Sequence, residues 1–418
     1  MNPPALFTLI DVHSLHDGVG TVHRPGRLVL AGDRILAAGH PLDDSVVRAE
    51  AALPPDVTRV TYRGATAIPG LVDTHVHLVL GTGLRTYEQV MAEDRDELML
   101  LRAAENARTH LRSGVTTVRD LGARGRLTFH LREAATQGIV TRMPSMVLCG
   151  RPITAPRGHF WFCGEEAEGP SAVRESVRRL ASEGADVIKV MATGGGTAGT
   201  DRSLAYFSEQ ELAAAVDEAH ARALRVVVHA QGTPGIRNAV AAGVDAIEHC
   251  DFLGPDGRPS LDEHLASEIA ARGIFVDPTL HVLRISVDLL TELSSTRPLT
   301  ADERQRLDSF KVRYEAGMAS VRRFRELGIH LVGGTDAIRR FGDYHLTYET
   351  FRDCGLSTED ALATMTSVAA DAMGIDDVAG RLAPGLYADV VILDSDPAVD
   401  DLALRRVRQV YRRGVAVL

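Results

Sequence analysis

The sequence predicts an α/β fold, a (β/α)8 TIM-type barrel accompanied by a smaller β-sandwich built from both ends of the chain. Three observations lead there. Between residues 67 and 382, short segments rich in Val and Ile alternate with helical stretches. Outside those limits the pattern is one of strands alone. A length of 418 residues also suits a barrel with a satellite domain.

The first strands are expected at Leu6–Ile10, Arg27–Leu30, Ile35–Ala38 and Val57–Tyr62, separated by Gly, Pro and Asp. From Ala67 the rhythm becomes strand then helix. Strands are expected at Ala67–His77, Val115–Leu121, Met146–Gly150, Asp186–Ala192, Arg225–Ala230, Ala246–Cys250, Ile274–Leu280 and His330–Asp336. The stretch Ser208–Ala223 reads as a helix with Leu212, Val216 and Ala219 on one face. Ser208 and Glu211 give its start a capping-box signature. Gly-Ala-Asp-Val at 184–187 and Gly-Val-Asp-Ala at 243–246 both end a helix and open a strand. Eight such units imply parallel strands closed on themselves. At the tail, Gly385–Asp394 and Val407–Val417 read as strands that complete the N-terminal layer. The expected domains are therefore 67–382 for the barrel, and 1–66 with 383–418 for the composite β-sandwich.

Composition narrows the partners. The chain is 45% hydrophobic and 24% charged, with a net charge of −10 and no dense basic block. That pattern argues for a small-molecule substrate and against nucleic acid or an anionic membrane, and it leaves a homo-oligomer open. Cys149, Cys163, Cys250 and Cys354 are scattered without a CxxC pair, so a reducing compartment is expected. With no basic segment followed by an apolar one at the start, and no 18-residue apolar run, the expectation is cytoplasmic.

The chemistry is concentrated at the expected strand ends. In Asp73-Thr74-His75-Val76-His77 the two histidines are two residues apart, so both point to one face of a strand and can clamp one ion. His229 closes VVVHA, His249 closes AIEHC and Asp336 closes VGGTD. Each falls at a carboxyl end, where barrel enzymes keep their reactive groups. Lys189 lies within the apolar strand VIKVM, where a charge costs several kcal/mol unless paired or chemically altered.

With these residues in place, the chain resembles the amidohydrolase superfamily, and within it the imidazolonepropionase-like group that contains Xaa-Pro dipeptidases. The resemblance runs through PGLVDTHVHL, GVTTVRDLG, GADVIKVMATGG, VVVHAQG, AGVDAIEHC, GGTDA and ADVVILDSDP. It implies that His75, His77, Lys189 and Asp336 hold one divalent ion, and that Lys189, His229 and His249 hold a second. It implies a carboxylated Lys189 bridging the pair. The ions would be Zn, with Mn or Co also acceptable to nitrogen and oxygen ligands. Such a pair lowers the pKa of water enough to supply hydroxide, with Asp336 as proton acceptor and then donor. The expected activity is hydrolysis of an amide bond in a dipeptide or N-acyl amino acid. The alternative is a cyclic amide (imidazolone or lactam) hydrolase or a deaminase, although deaminase relatives do not need the strand-four lysine.

On the substrate side, the resemblance implies that His159 in PRGHF bonds the substrate carbonyl or carboxylate, and that Tyr206 touches the carboxylate. Arg157, Arg339 and Arg340 are also available, although solvated roles suit each of them. Cys250 stands where relatives have Gly, and packing accounts for it.

Overall fold

Both ends of the chain meet in one sheet of eight strands. The structure, a computed structural model, describes residues 7–418; the expected strand start at Leu6 lies outside the described residues. Phe7–His16 runs parallel to Thr58–Pro69 on one side and antiparallel to Gly26–Ala31 on the other. Val390–Leu393 then pairs antiparallel with the end of Thr58–Pro69, Val390 facing Pro69. Val407–Arg412 and Val415–Ala416 extend that edge as a hairpin, and Arg34–Gly39 closes the other. Inward residues from both ends of the sequence share one apolar cluster that includes Ile10, Val12, Leu28, Val390 and Ile392.

A polar clasp reinforces this closure. Asp396 accepts hydrogen bonds from Ser14 Oγ at 2.9 Å and Arg24 at 2.8 Å, and its other oxygen lies 2.9 Å from His16 Nε2. Burial pushes this carboxyl up, but the Ala398 N–H and those three side chains outweigh it and hold the pKa at about 2.

The alternating region contains two parallel sheets. Leu71–Val76, Val115–Asp120 and Ser145–Leu148 form one; Val187–Met191, Arg225–Gly232, Ala246–Leu253 and Phe275–Asp277 form the other. Single parallel bridges lead from one to the other: Ile153 with Val190, Val276 with Leu331, and Val76 with Ala337. The helix Glu209–His220 starts with the expected reciprocal cap between Ser208 and Glu211.

Several expected strands differ from those observed; Val407–Val417, for one, is the hairpin just described, turning between Arg412 and Val415. Residues 67–77 divide at Gly70, because a Cβ there would lie 2.1 Å from Thr116 Oγ1 and the chain turns at that contact. The seventh strand is only Phe275–Asp277; Thr279 takes a left-handed conformation (φ 45°) and the helix Leu280–Thr296 begins directly after it. Within residues 330–336 a bridge forms at Leu331 alone, and the next lies at Ala337, so there is no continuous strand. A second long helix, Ala301–Glu326, follows the first. It buries little more than Leu307, Val321 and Phe324, too sparse an apolar stripe to announce itself in the sequence. Among the described residues, no helix is long and apolar enough to cross a membrane.

Replacing Asp396 by Ala is expected to cost about 1.5–3 kcal/mol, the usual range for bonds to a charged group. Because the folded pKa lies below the ordinary carboxylate value of about 3.9, the contribution is full above that pH. It fades as the pH falls toward about 2. Urea denaturation of both proteins between pH 7 and pH 2 checks this: a stability difference that does not shrink on acidification refutes the clasp.

Candidate metal centre and its cavity

The residues singled out at the strand ends converge on one cavity of about 370 Å³. His75, His77, Lys189, His229, His249, Asp336 and His159 all line it. The first three ring positions can be resolved by their hydrogen bonds. His75 Nδ1 is 2.6 Å from a Glu248 carboxylate oxygen, which can only accept, so His75 presents a bare Nε2. His77 Nδ1 donates to the Gly122 carbonyl at 3.0 Å and likewise presents Nε2. His229 uses Nε2 to donate to the Gly194 carbonyl at 2.9 Å, which leaves Nδ1 free.

These orientations create a conflict that a cation resolves. The bare Nε2 atoms of His75 and His77 lie 3.3 Å apart. Asp336 Oδ1 lies 3.6 Å from the first and 3.5 Å from the second. Three acceptors therefore face one another with no donor between them. A tetrahedral ion with bonds of about 2.0–2.1 Å keeps its ligand atoms about 3.3–3.4 Å apart, and this trio fits that spacing. Burial holds His75 well below its ordinary pKa, and the nearby Lys189 adds to this. Burial likewise takes His77 down to about 4, so both rings are neutral and able to ligate at pH 7.

Lys189 sits beside them on Val187–Met191, 1% exposed, and its Nζ has no hydrogen-bond partner. Burial lowers its pKa to about 8. A buried amine this close to neutrality, without a partner, fits a nitrogen converted to a carbamate. His229 and His249 line the same cavity with ring centroids 4.4 Å apart.

Local backbone geometry makes the convergence possible. Glu248 and His249 are consecutive, and regular strand alternation would send them to opposite faces. His249 instead adopts φ 70°, so the carboxylate reaches His75 while the imidazole still faces the cavity. Asp336 is also left-handed, at φ 47°. Such conformations cost on the order of 1–3 kcal/mol each and gather at functional sites. The glycine run after Lys189 serves close approach: a Cβ on Gly195 would lie 2.4 Å from the His159 ring, and one on Gly196 would lie 2.8 Å from Tyr87.

Several supporting residues had no assigned role in the sequence. Glu248 is fully buried between His75 and Arg119, whose guanidinium also donates to the Thr74 carbonyl. Asp73 accepts from the His75 and Thr335 N–H groups, fastening the HxH strand to the segment that carries Asp336. Alternation within AIEHC and DTHVH was the available signal for both, since an acid inside an apolar strand needs a partner. Tyr87, Arg202 and Arg313 also line the cavity, as do residues of the two long helices such as Leu283 and Phe310.

The substrate-side residues divide. His159 faces the cavity with its ring 4.5 Å from that of His229. Thr197 approaches His159 Nδ1 with its hydroxyl at 2.7 Å and its N–H at 3.4 Å, which leaves the ring proton on Nε2. Tyr206 does not line the cavity; its hydroxyl accepts the Asp201 N–H at 3.0 Å. Arg339 lines the cavity, whereas Arg157 and Arg340 are exposed. Cys250 is packed in the core, and burial pushes its thiol pKa up, which makes it unreactive.

Replacing Lys189 with Met is expected to stabilise the metal-free protein by about 1–3 kcal/mol, because an unpartnered buried polar group is removed. The folded pKa lies below the ordinary value of about 10.4, so the lysine penalty is full below pH 8 and fades as the pH rises toward 10.4. Chemical denaturation in chelator at pH 7 and pH 10 measures both parts. A Met variant less stable than the parent at pH 7 would show that the amine is well satisfied.

The chain is similar to several hydrolases in sequence and fold. Ochratoxinase from Aspergillus niger is 28% identical over an alignment of 437 positions, covering 95% of this chain and 83% of that protein. A prolidase solved with N-methylphosphonate-L-proline superposes with a TM-score of 0.80 at 26% identity, covering 98% of this chain and 99% of the other. A Xaa-Pro dipeptidase with methionine in its active site shares the fold, with a TM-score of 0.83 at 24% identity and coverage of 98% and 99%. The amidohydrolase family model matches residues 66–417, and the chain belongs to that family, a hydrolase of carbon–nitrogen bonds.

Proposed function

We propose that this protein is a binuclear metal-dependent hydrolase that cleaves the amide bond of a dipeptide or an N-acyl amino acid. The observation that carries the reading is the set of three mutually facing acceptors on His75, His77 and Asp336 beside an unpartnered, buried Lys189. His75, His77, Asp336 and a carboxylated Lys189 would hold one ion; Lys189, His229 and His249 would hold the other. Zinc suits these ligands, with manganese or cobalt as substitutes. When bound, such ions supply Lewis acidity and water of lowered pKa.

The remaining work falls to side chains. Burial raises the Asp336 carboxyl to about 7, against the pull of the Lys189 cation, so it can take a proton and return one near neutral pH. That suits transfer from the attacking water to the departing amine. His159, with its proton on Nε2, is placed to donate to the substrate carbonyl and to stabilise charge developing there. Glu248 and Gly122 fix the faces of His75 and His77, and mutation of such supporting partners typically lowers metal affinity 10- to 100-fold.

The same reading divides the chain into a (β/α)8 barrel over 67–382 and a composite β-sandwich from 1–66 and 383–418. The bridges that link the two parallel sheets support the first. The separate apolar cluster of the terminal strands supports the second. Prolidase and ochratoxinase relatives favour a linear amide over the cyclic amide or deamination alternative.

Two variants test the roles. Lys189→Ala is expected to lose metal at one or both positions and to lose activity with it; two ions retained at full rate would remove the bridging role. Asp336→Asn is expected to keep most metal while turnover falls at least a hundredfold, within the usual range for a lost proton-transfer group, about 10²–10⁴. Metal analysis beside a screen of Xaa-Pro and Xaa-Lys dipeptides, N-acyl amino acids and lactams supplies both readouts. Unchanged turnover in Asp336→Asn removes it as the proton carrier.

A further inference from the structure

The segment that carries Asp336 is held from outside the rim by a histidine that never reaches the cavity. The holding point is Asp73, which is fully buried and whose two oxygens accept four hydrogen bonds. Oδ1 takes the N–H groups of His75 at 3.1 Å and Thr335 at 3.0 Å. Oδ2 takes the Thr335 hydroxyl at 2.7 Å and His110 Nε2 at 2.8 Å. Three of these donors belong to the two segments being joined. The fourth comes from the last turn of a separate helix, Asp96–Arg112.

The other nitrogen of His110 sets its tautomer. The Gly342 N–H lies 3.2 Å from Nδ1, and a backbone N–H can only donate, so Nδ1 carries no proton. The ring proton is therefore on Nε2 and is given to Asp73. The residue is 1% exposed, and its ring packs edge-on against Phe341 with centroids 5.1 Å apart. His110 thus grips one stretch of chain twice, at Thr335 through Asp73 and at Gly342 directly. Asp336 lies between the grips at φ 47°, its N–H donating to the His75 carbonyl at 2.8 Å. A left-handed residue other than glycine persists only where its surroundings over-determine it. Gly342 is also left-handed, at φ 95°, and runs so close to the same helix that a Cβ would lie 3.1 Å from Thr109 Cγ2.

We infer that His110 is a positioning residue for Asp336: by bracing Thr335 and Gly342 it keeps that carboxylate turned toward His75 and His77. His110 does not line the cavity, so it acts only through Asp73 and Gly342. The inference rests on the metal-hydrolase reading only for the work that Asp336 does.

Deuterium exchange of the full-length, metal-free protein reads the brace with no ion or substrate present. In His110→Leu the amides of residues 335–342 are expected to exchange about tenfold faster or more, with the rest of the chain unchanged. His110→Gln keeps a donor at the reach of Nε2 and is expected to protect Thr335 while Gly342 loosens. His110→Asn keeps an acceptor at the reach of Nδ1 and is expected to do the reverse. Thermal melting shows that each variant is folded, and the Gln and Asn pair carries the test if the Leu variant is not. Cobalt(II) titration followed by visible absorption then reads the consequence: affinity about tenfold weaker in His110→Leu, as for other supporting partners of metal ligands, and recovered in His110→Gln. Exchange at the parental level in all three variants overturns the inference, as does exchange that rises equally along the whole chain. Parental cobalt affinity in a His110→Leu protein whose segment has loosened overturns it too. A parent that takes up no cobalt overturns the metal reading instead, and the exchange pattern alone then decides on His110.

Discussion

The structure is organised by the need to keep three hydrogen-bond acceptors and an amine together in a space that excludes most water. His75, His77 and Asp336 repel one another in the absence of a positive charge, and Lys189 has no partner to lower the cost of its burial. Neighbours hold this arrangement against relaxation. Glu248, Gly122 and Gly194 occupy the outward nitrogen of three rings, and Asp73 ties the first strand to the last segment. The left-handed turns at His249 and Asp336 are sustained in the same way. A site of this kind lowers the stability of the empty fold and gains it back when charge of the right sign arrives.

Much of this was legible in the sequence because candidate metal ligands obey two simple rules. They must be nitrogen or oxygen donors, and they must sit at strand ends that a parallel sheet brings to one rim. HxH, the two strand-terminal histidines and the aspartate after Gly-Gly satisfied both, and all of them meet in the cavity. The lysine stood out for the opposite reason, as a charge where no strand tolerates one.

What escaped was governed by contacts between distant segments. Glu248 reads as half of an ordinary alternation until Arg119 and His75 are found beside it. Tyr87 opens the short helix Tyr87–Glu93 and Arg202 lies in the loop after Val187–Met191, where Gly196 packs against Tyr87. The helix Ala301–Glu326 has a face so polar that its role as a wall of the cavity is evident only in three dimensions. The eighth strand was overread because its β-rich composition continues through Gly333-Gly334, where a Cβ on Gly334 would lie 1.8 Å from Asp277.

The pairing of Val390–Leu393 with Thr58–Pro69 has a consequence for how the molecule is made. Thr58–Pro69 leads through Gly70 into the strand that bears His75, so the register of the first ligand strand is braced by a segment near the far end of the chain. During synthesis the helices of the alternating region can collapse onto their strands early, but that brace arrives only when Val390–Leu393 has been made. Contacts so distant in sequence slow folding. A ribosome stalled before residue 390 would therefore display an amidohydrolase scaffold whose entry strand is still unanchored.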